Sequence, residues 1–362
     1  MEYKTPRKRH KKATDENRNN PPYSPTYDSY IYSHRYRTDT MSSDTQQQRP
    51  PPNPARHDFA NKSHATSYDY ISPLKLDLSG RHVLVTGAAH EDGVGFATAL
   101  AFARAGAAVI VLADLRGVAE ERAERLRAAA REAGRQTEPV VLCREVDIAK
   151  LDSVRALLDS IDSSLGGKLD VLVNNAAHQE PYAKLLDSDP EVDWRTWEVN
   201  VHGLVNMSRT FLPLLLATGN IKSNSDSNSN SDSRRGLCTM INVSSSGALS
   251  VRPGSSHYRS SKLAVLRYTE SLHLDYSQEG LVCYCVNPGA IKTQITINEP
   301  AELRDRLPHK VDIAGDTICW LASERREWLG GRYVSCPWDM EELMSRREEI
   351  VEGDKLKVRM VY

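Results

Sequence analysis

The sequence predicts an α/β protein built on a doubly wound parallel sheet, forming a single domain with a disordered N-terminal arm. Three observations predict it. Short apolar runs suited to buried strands recur between longer helical stretches, the alternation that a parallel sheet requires. The first run, His82-Val83-Leu84-Val85, passes through a glycine-rich turn into an Ala-rich helix ending near Arg104 and then a second run, Ala108-Val109-Ile110-Val111-Leu112. Composition also divides the chain: the first seventy residues hold no Leu and no Val, but eight of the eighteen prolines and eight of the fifteen tyrosines.

Each element follows in order. Residues 1–70 cannot bury enough apolar surface to offset their ordering entropy and are expected to be disordered. Their cluster Arg7-Lys8-Arg9-His10-Lys11-Lys12 reads as a solvated basic tail, with a targeting signal as the alternative. Residues 71–340 are expected to form the folded domain, long enough for one large core. After the two runs above come the strands Val140-Val141-Leu142 and Asp170-Val171-Leu172-Val173, then a helix bearing Asn200. A low-complexity stretch, Ser223 to Ser233 within residues 219–236, reads as a flexible surface insertion. The strand Ile241-Asn242-Val243-Ser244-Ser245 precedes a helix carrying Tyr258 and Lys262. Cys283 and Cys285 alternate along a sixth strand, which ends in the turn Asn287-Pro288-Gly289. Residues 341–362 read as a charged helical tail.

The chemistry resides in the spacing. Tyr258 and Lys262, four apart on a helix, share a face, so the ammonium can favour the ionised phenol. A tyrosine near its reference pKa of about 10 is otherwise a poor base at neutral pH. Ser245, thirteen positions before Tyr258, stands where a strand end can hold a substrate oxygen against the phenol; Ser244 and Ser246 compete, and the spacing selects Ser245. In the turn, Gly87 permits a tight exit from the strand, while Gly93 and Gly95 let a pyrophosphate approach the backbone and the helix N-terminus.

Residues 76–335 resemble the short-chain dehydrogenase/reductase family, whose fold is Rossmann-like. Its Thr-Gly-x-x-x-Gly-x-Gly turn is matched by Thr86, Gly87, Gly93 and Gly95, with two extra residues between the first two glycines. Its Asn-Asn-Ala-Gly motif appears as Asn174-Asn175-Ala176-Ala177, and its helix-borne asparagine falls on Asn200. Its catalytic serine, tyrosine and lysine fall on Ser245, Tyr258 and Lys262, and its Pro-Gly turn on Pro288 and Gly289. The resemblance implies a catalytic set of Asn200, Ser245, Tyr258 and Lys262. It also implies a nicotinamide dinucleotide held by Gly87, Gly93, Val94, Gly95, Asp114, Asp147, Ile148, Asn175, Ala176, Tyr258, Lys262, Pro288, Gly289, Ile291 and Thr293. Asp147 and Ile148 would read the adenine edge, and Asn200 would hold a water that continues a proton relay from Lys262. Asn174 and Asn175 have a second reading as turn formers, and Asn200 as a buried side chain bonded to backbone.

Charge argues for NAD. Asp114, ending the second strand, can accept hydrogen bonds from both ribose hydroxyls and would repel the 2′-phosphate of NADP. Glu91 and Asp92 add negative charge before Gly93; Arg116, two residues beyond Asp114, keeps NADP open as the alternative. No metal is expected, the six cysteines being scattered without a metal-like pair of pairs.

Three functions are compatible with these residues: an NAD-dependent dehydrogenase oxidising a secondary alcohol, an NADPH-dependent ketoreductase, and a non-catalytic nucleotide-binding regulator. The complete Asn-Ser-Tyr-Lys set disfavours the third. A formal net charge of −1 gives no ground for a nucleic-acid partner. No stretch approaches a membrane span and no secretory signal opens the chain, so a cytoplasmic location is expected. The expected partners are a small-molecule alcohol or ketone and, by family resemblance, further copies of the chain in a dimer or tetramer. Substrate choice is expected from residues 294–309 and from the C-terminal segment, whose Ser335-Cys336-Pro337-Trp338-Asp339 departs from the family's glycine-rich ending. That tail resembles a subgroup common in fungal genomes beside secondary-metabolite pathways, which implies a medium-sized organic substrate.

Overall fold

Seven parallel strands form one sheet: β1 (His82–Thr86), β2 (Val109–Asp114), β3 (Val140–Glu145), β4 (Val171–Asn174), β5 (Thr239–Val243), β6 (Val282–Asn287) and β7 (Tyr333–Ser335). Their spatial order is β3-β2-β1-β4-β5-β6-β7, so the chain winds outward from β1 in one direction and from β4 in the other. The structure is a computed structural model that describes residues 59–219 and 236–360. Residues 1–58 of the expected arm and most of the expected 219–236 insertion lie outside the described residues.

Side-chain alternation along the strands feeds two cores. Val83, Val85, Ile110 and Leu112 point to one, with Phe96 and Phe102 of α1 (Val94–Arg104), Leu126 of α2 (Glu120–Glu132) and Ile318 of α8 (Val311–Ser323). Leu84, Val111, Leu172 and Met240 point to the other, with Leu157 and Ile161 of α3 (Leu151–Leu165) and Phe211 and Leu215 of α5 (Leu204–Gly219). Burial on both faces explains why these strands read as nearly continuous apolar runs. The remaining helices are α4 (Pro190–Trp197), α6 (Ser256–Tyr276), α7 (Ala301–Arg304), α9 (Met340–Ser345) and α10 (Arg347–Glu352). A π-helical turn, Glu198–Gly203, joins α4 to α5 and contains Asn200.

Both expected domain boundaries fall differently. Residues 59–70, assigned by composition to the arm, pack on the domain. Asn61 and Lys62 donate backbone N–H groups to Glu342 at 2.8 and 2.9 Å, and His64 Nε2 lies 2.8 Å from Asp339 Oδ2. Thr66 and Ser67 donate hydroxyls to Asp312 and Asp316 at 2.6 and 2.5 Å. A segment without Leu or Val is therefore held by polar contacts together with Phe59, Ala60 and Tyr68 packed on the core, which a count of Leu and Val does not register. Residues 341–360 are likewise part of the domain: Leu343 and Ile350 are buried, and Leu356 O accepts the N–H of Tyr333 along the outer edge of β7. Covering that edge with chain satisfies backbone groups that would otherwise face solvent.

Candidate active site

The strand order reverses between β1 and β4, and the C-terminal ends of these strands frame the site, as expected for a doubly wound sheet. Thr86 closes β1 and its Oγ1 accepts the N–H groups of Asn175 and Ala176 at 3.0 and 3.1 Å. Asn175 returns Nδ2 to the carbonyls of Thr86 and Gly87 at 2.9 and 3.1 Å. Its side chain thus holds the glycine turn, the turn-forming reading, and Ala176 packs beside it. Asn174 bonds Asn242 at 2.9 Å across β4 and β5.

Gly87 has φ +69°, the left-handed region that favours glycine. Gly95 is required by contact: a Cβ there would stand 2.4 Å from Gly87 O and 2.7 Å from Asn175 Nδ2. It serves close packing of α1 against the turn. The N-cap of α1, Gly93, has no capping side chain, so the first N–H groups of the helix have no side-chain acceptor there and can face an anion. Val94 begins the helix, half-buried. The two additional residues form part of a turn closed by Gly93 N–H to His90 O at 3.0 Å.

Asp114 lies at the end of β2, where its carboxylate accepts Ala89 N–H at 3.1 Å and Arg116 N–H at 3.3 Å. Glu91, expected to add negative charge, pairs with Arg122 at 3.3 Å and also with Arg125, both on α2. These two arginines were missed in the sequence because they lie a helix away, and they offset the charge of the turn. Asp147 is paired with Arg195 of α4 at 3.1 Å, and Ile148 is buried against Gly203. Pro288, Gly289 and Thr293 are half-buried in the turn after β6, and Ile291 is buried there. The glycine turn, the uncapped helix start and Asp114 together fit a dinucleotide.

Ser245, Tyr258 and Lys262 come together beyond β5. Tyr258 hydrogen-bonds to Ser245 through its hydroxyl, while loss of water around its phenolic end pushes the group up to about 12. Lys262, buried on the same helix, donates Nζ to Val243 O at 2.9 Å and lies 5.8 Å from the centre of the Tyr258 ring. Burial lowers its ammonium to about 8. Desolvation therefore sets this phenol, and the expected depression by the lysine is not among the effects that move it. Ser244 donates its hydroxyl to Lys262 O at 2.8 Å, which leaves Ser245 as the serine facing the phenol.

Asn200 is held by three bonds to protein. Its Oδ1 accepts His178 N–H at 2.8 Å, and its Nδ2 donates to His178 O at 2.8 Å and Ser261 Oγ at 2.9 Å. Three loops border Tyr258. Ala183 N–H donates to Gly254 O at 2.9 Å, Asn298 Nδ2 to Gln179 O at 2.7 Å, and Arg259 Nη2 to the Tyr182 hydroxyl at 3.4 Å. Glu299 faces the same cluster, its carboxyl raised chiefly by burial. Gln179, Tyr182 and Glu299 lie in irregular segments, where no periodicity marks them.

Comparison with known proteins agrees with this geometry. The family model described as short chain dehydrogenase matches residues 81–304. The short chain dehydrogenase mpl6 of Monascus purpureus is 38% identical over 303 residues, 84% of this chain and 96% of that protein. Among solved structures, a 3-ketoacyl-(acyl-carrier-protein) reductase from Brucella melitensis, complexed with NADH, is 27% identical with a TM-score of 0.57, covering 72% of this chain and 97% of that one. A gluconate 5-dehydrogenase from Burkholderia cenocepacia J2315, in complex with NADP and tartrate, is 26% identical with a TM-score of 0.57, covering 74% and 96%. A seven-stranded parallel sheet, a glycine turn at the strand reversal, and a family match over most of the domain lead to one conclusion: the chain belongs to the short chain dehydrogenase family of oxidoreductases.

Proposed function

We propose that the protein interconverts a secondary alcohol and a ketone with NAD(P), using Tyr258 as acid/base. The observation that carries this reading is the meeting of Ser245 and Lys262 at Tyr258 beyond the end of β5. Ser245 orients the substrate oxygen, and Lys262 binds the cofactor ribose and favours the ionised phenol. Asn200 keeps the helix register around this set through His178 and Ser261. Gly87, Gly93, Val94 and Gly95 would cradle the pyrophosphate, Asp114 the adenosine ribose, and the turn Pro288 to Thr293 the nicotinamide end. Nicotinamide, when bound, supplies or accepts hydride at the substrate carbon. NADH and NADP in the two solved relatives support such a cofactor, and Asp114 favours NAD.

One observation favours reduction as the second reading. With its hydroxyl pushed up to about 12, Tyr258 is protonated at neutral pH and ready to donate to a ketone oxygen. Oxidation requires the phenol to lose that proton first. Tyr258→Phe removes the titrating hydroxyl alone, so turnover of ketones with NADH or NADPH should fall by roughly 10²–10⁴-fold while cofactor affinity stays near normal. Retained turnover would overturn the assignment.

A further inference from the structure

Helix α6 starts without help from its own N-cap: Ser255 makes no side-chain bond to the first turn. Tyr258, the third residue of the helix, has an N–H with no intrahelical partner, as for any residue in a first turn. That N–H donates to Glu180 Oε1 at 2.9 Å. Glu180 comes from the loop after β4 and is only 2% exposed. A cap that sequence usually places at the helix start is here delivered from seventy-eight residues away. The helix N-terminus also favours a carboxylate at this point.

The second oxygen of Glu180 is equally engaged. Oε2 accepts the Thr196 hydroxyl at 3.1 Å, and Thr196 Oγ1 lies 3.0 Å from His178 Nδ1. Thr196 has one hydrogen; given to Glu180, it requires His178 Nδ1 to carry its own proton and donate to Thr196 Oγ1. Burial lowers the His178 pKa, which favours its neutral form with one N–H. The backbone of His178 is gripped on both sides by Asn200, whose Nδ2 also reaches Ser261 Oγ, and Ser261 Oγ donates to Tyr258 O at 2.8 Å. The chain of bonds closes on Tyr258 from both its N–H and its carbonyl.

We propose that Glu180 is a positioning residue that fixes Tyr258 in the site, acting through the tyrosine's backbone and held in turn by Thr196 and His178. This rests on the reading of Tyr258 as acid/base only for its catalytic meaning; the placement of the ring is testable by itself. Incorporating 3-fluorotyrosine gives each tyrosine a fluorine resonance, and the signal of residue 258 is the one lost in Tyr258→Phe. In the full chain it should be a single narrow line. Glu180→Ala should shift or broaden it, whereas Glu180→Gln, which keeps an oxygen for the Tyr258 N–H, should restore it. The Tyr284 signal, from a ring buried in the core, should stay put in all three and report that the fold is intact. If Glu180→Ala does not fold, Thr196→Val, which removes the hydroxyl that orients the carboxylate, should broaden the same line. An unchanged line in a folded Glu180→Ala or Thr196→Val variant, or Glu180→Gln matching Glu180→Ala, overturns the proposal. Turnover retained by Tyr258→Phe is a separate result: it removes the acid/base role, while the position and width of the resonance still decide whether Glu180 places the ring.

Discussion

Lys262 donates its ammonium to the carbonyl of Val243 at 2.9 Å, although the lysine lies deep enough for burial to lower its pKa to about 8. One hydrogen bond from strand β5 thus holds a charged group that desolvation opposes. In the unfolded chain the lysine returns to 10.5. Between those values the unfolded state binds more protons, so this group adds stability as pH rises through the window and opposes folding by a constant amount below about 8.

Lys262→Met removes that dependence. Relative to wild type, the variant should do best below the folded pKa and lose ground by at most about 3 kcal/mol as pH rises past the unfolded one. Denaturant unfolding at several pH values checks the sign. A constant difference between the two proteins would contradict it.

Asp316 offers the opposite case. Burial raises its carboxyl from 3.8 to about 6, despite the bond from Ser67. The folded state therefore binds the extra proton between those values, and stability from this group falls as pH rises through them. Asp316→Asn should be neutral near pH 4 and stabilising at pH 7, by a few kcal/mol at most. Thermal melts at the two pH values decide it.

The docked segment 59–71 should matter to stability. Truncation to residue 72 removes the buried Ile71 and leaves Asp312, Asp316, Asp339 and Glu342 without their partners from the segment. A loss of several kcal/mol is expected, which for a domain of this size is roughly ten degrees in Tm. An unchanged Tm would show that the docked segment contributes nothing net.

Gly95→Ala should be costly for a reason local to the turn. Its Cβ would meet Gly87 O at 2.4 Å, so α1 must shift, at about 1–3 kcal/mol. Dinucleotide affinity should fall with it. Gly315→Ala clashes comparably with Ala97 between α8 and α1, away from the turn, and should lower stability with little change in affinity. Equal effects of both on binding would remove the special role of Gly95.

Cofactor preference can be moved from two places. Asp114→Ser should weaken NAD and strengthen NADP, shifting the ratio by about tenfold or more, each factor of ten being worth about 1.4 kcal/mol. Glu91→Ala releases Arg122 and Arg125 from their carboxylate and should favour NADP in the same direction. Calorimetric titration with both dinucleotides gives the ratio. No change in either variant would mean that charge at this end does not choose the cofactor.

The amino-acid sequence by itself determined six of the seven strands and their order along the chain, because buried parallel strands must be apolar on both faces and the glycine turn tolerates few substitutes. It also marked Ser245, Tyr258 and Lys262, since helical spacing of four and a strand end are local geometry. What only the tertiary structure decided is who partners whom over long separations. Glu180 reaches the Tyr258 N–H, Arg122 and Arg125 reach Glu91, and residues 59–70 fasten to carboxylates near the other end of the chain. Such contacts are single polar bonds without periodicity, so no local pattern announces them. The pKa of Tyr258 belongs to the same class: spacing places a cation on the same helix face, but how far lost water raises the phenol depends on how deeply the folded chain buries it.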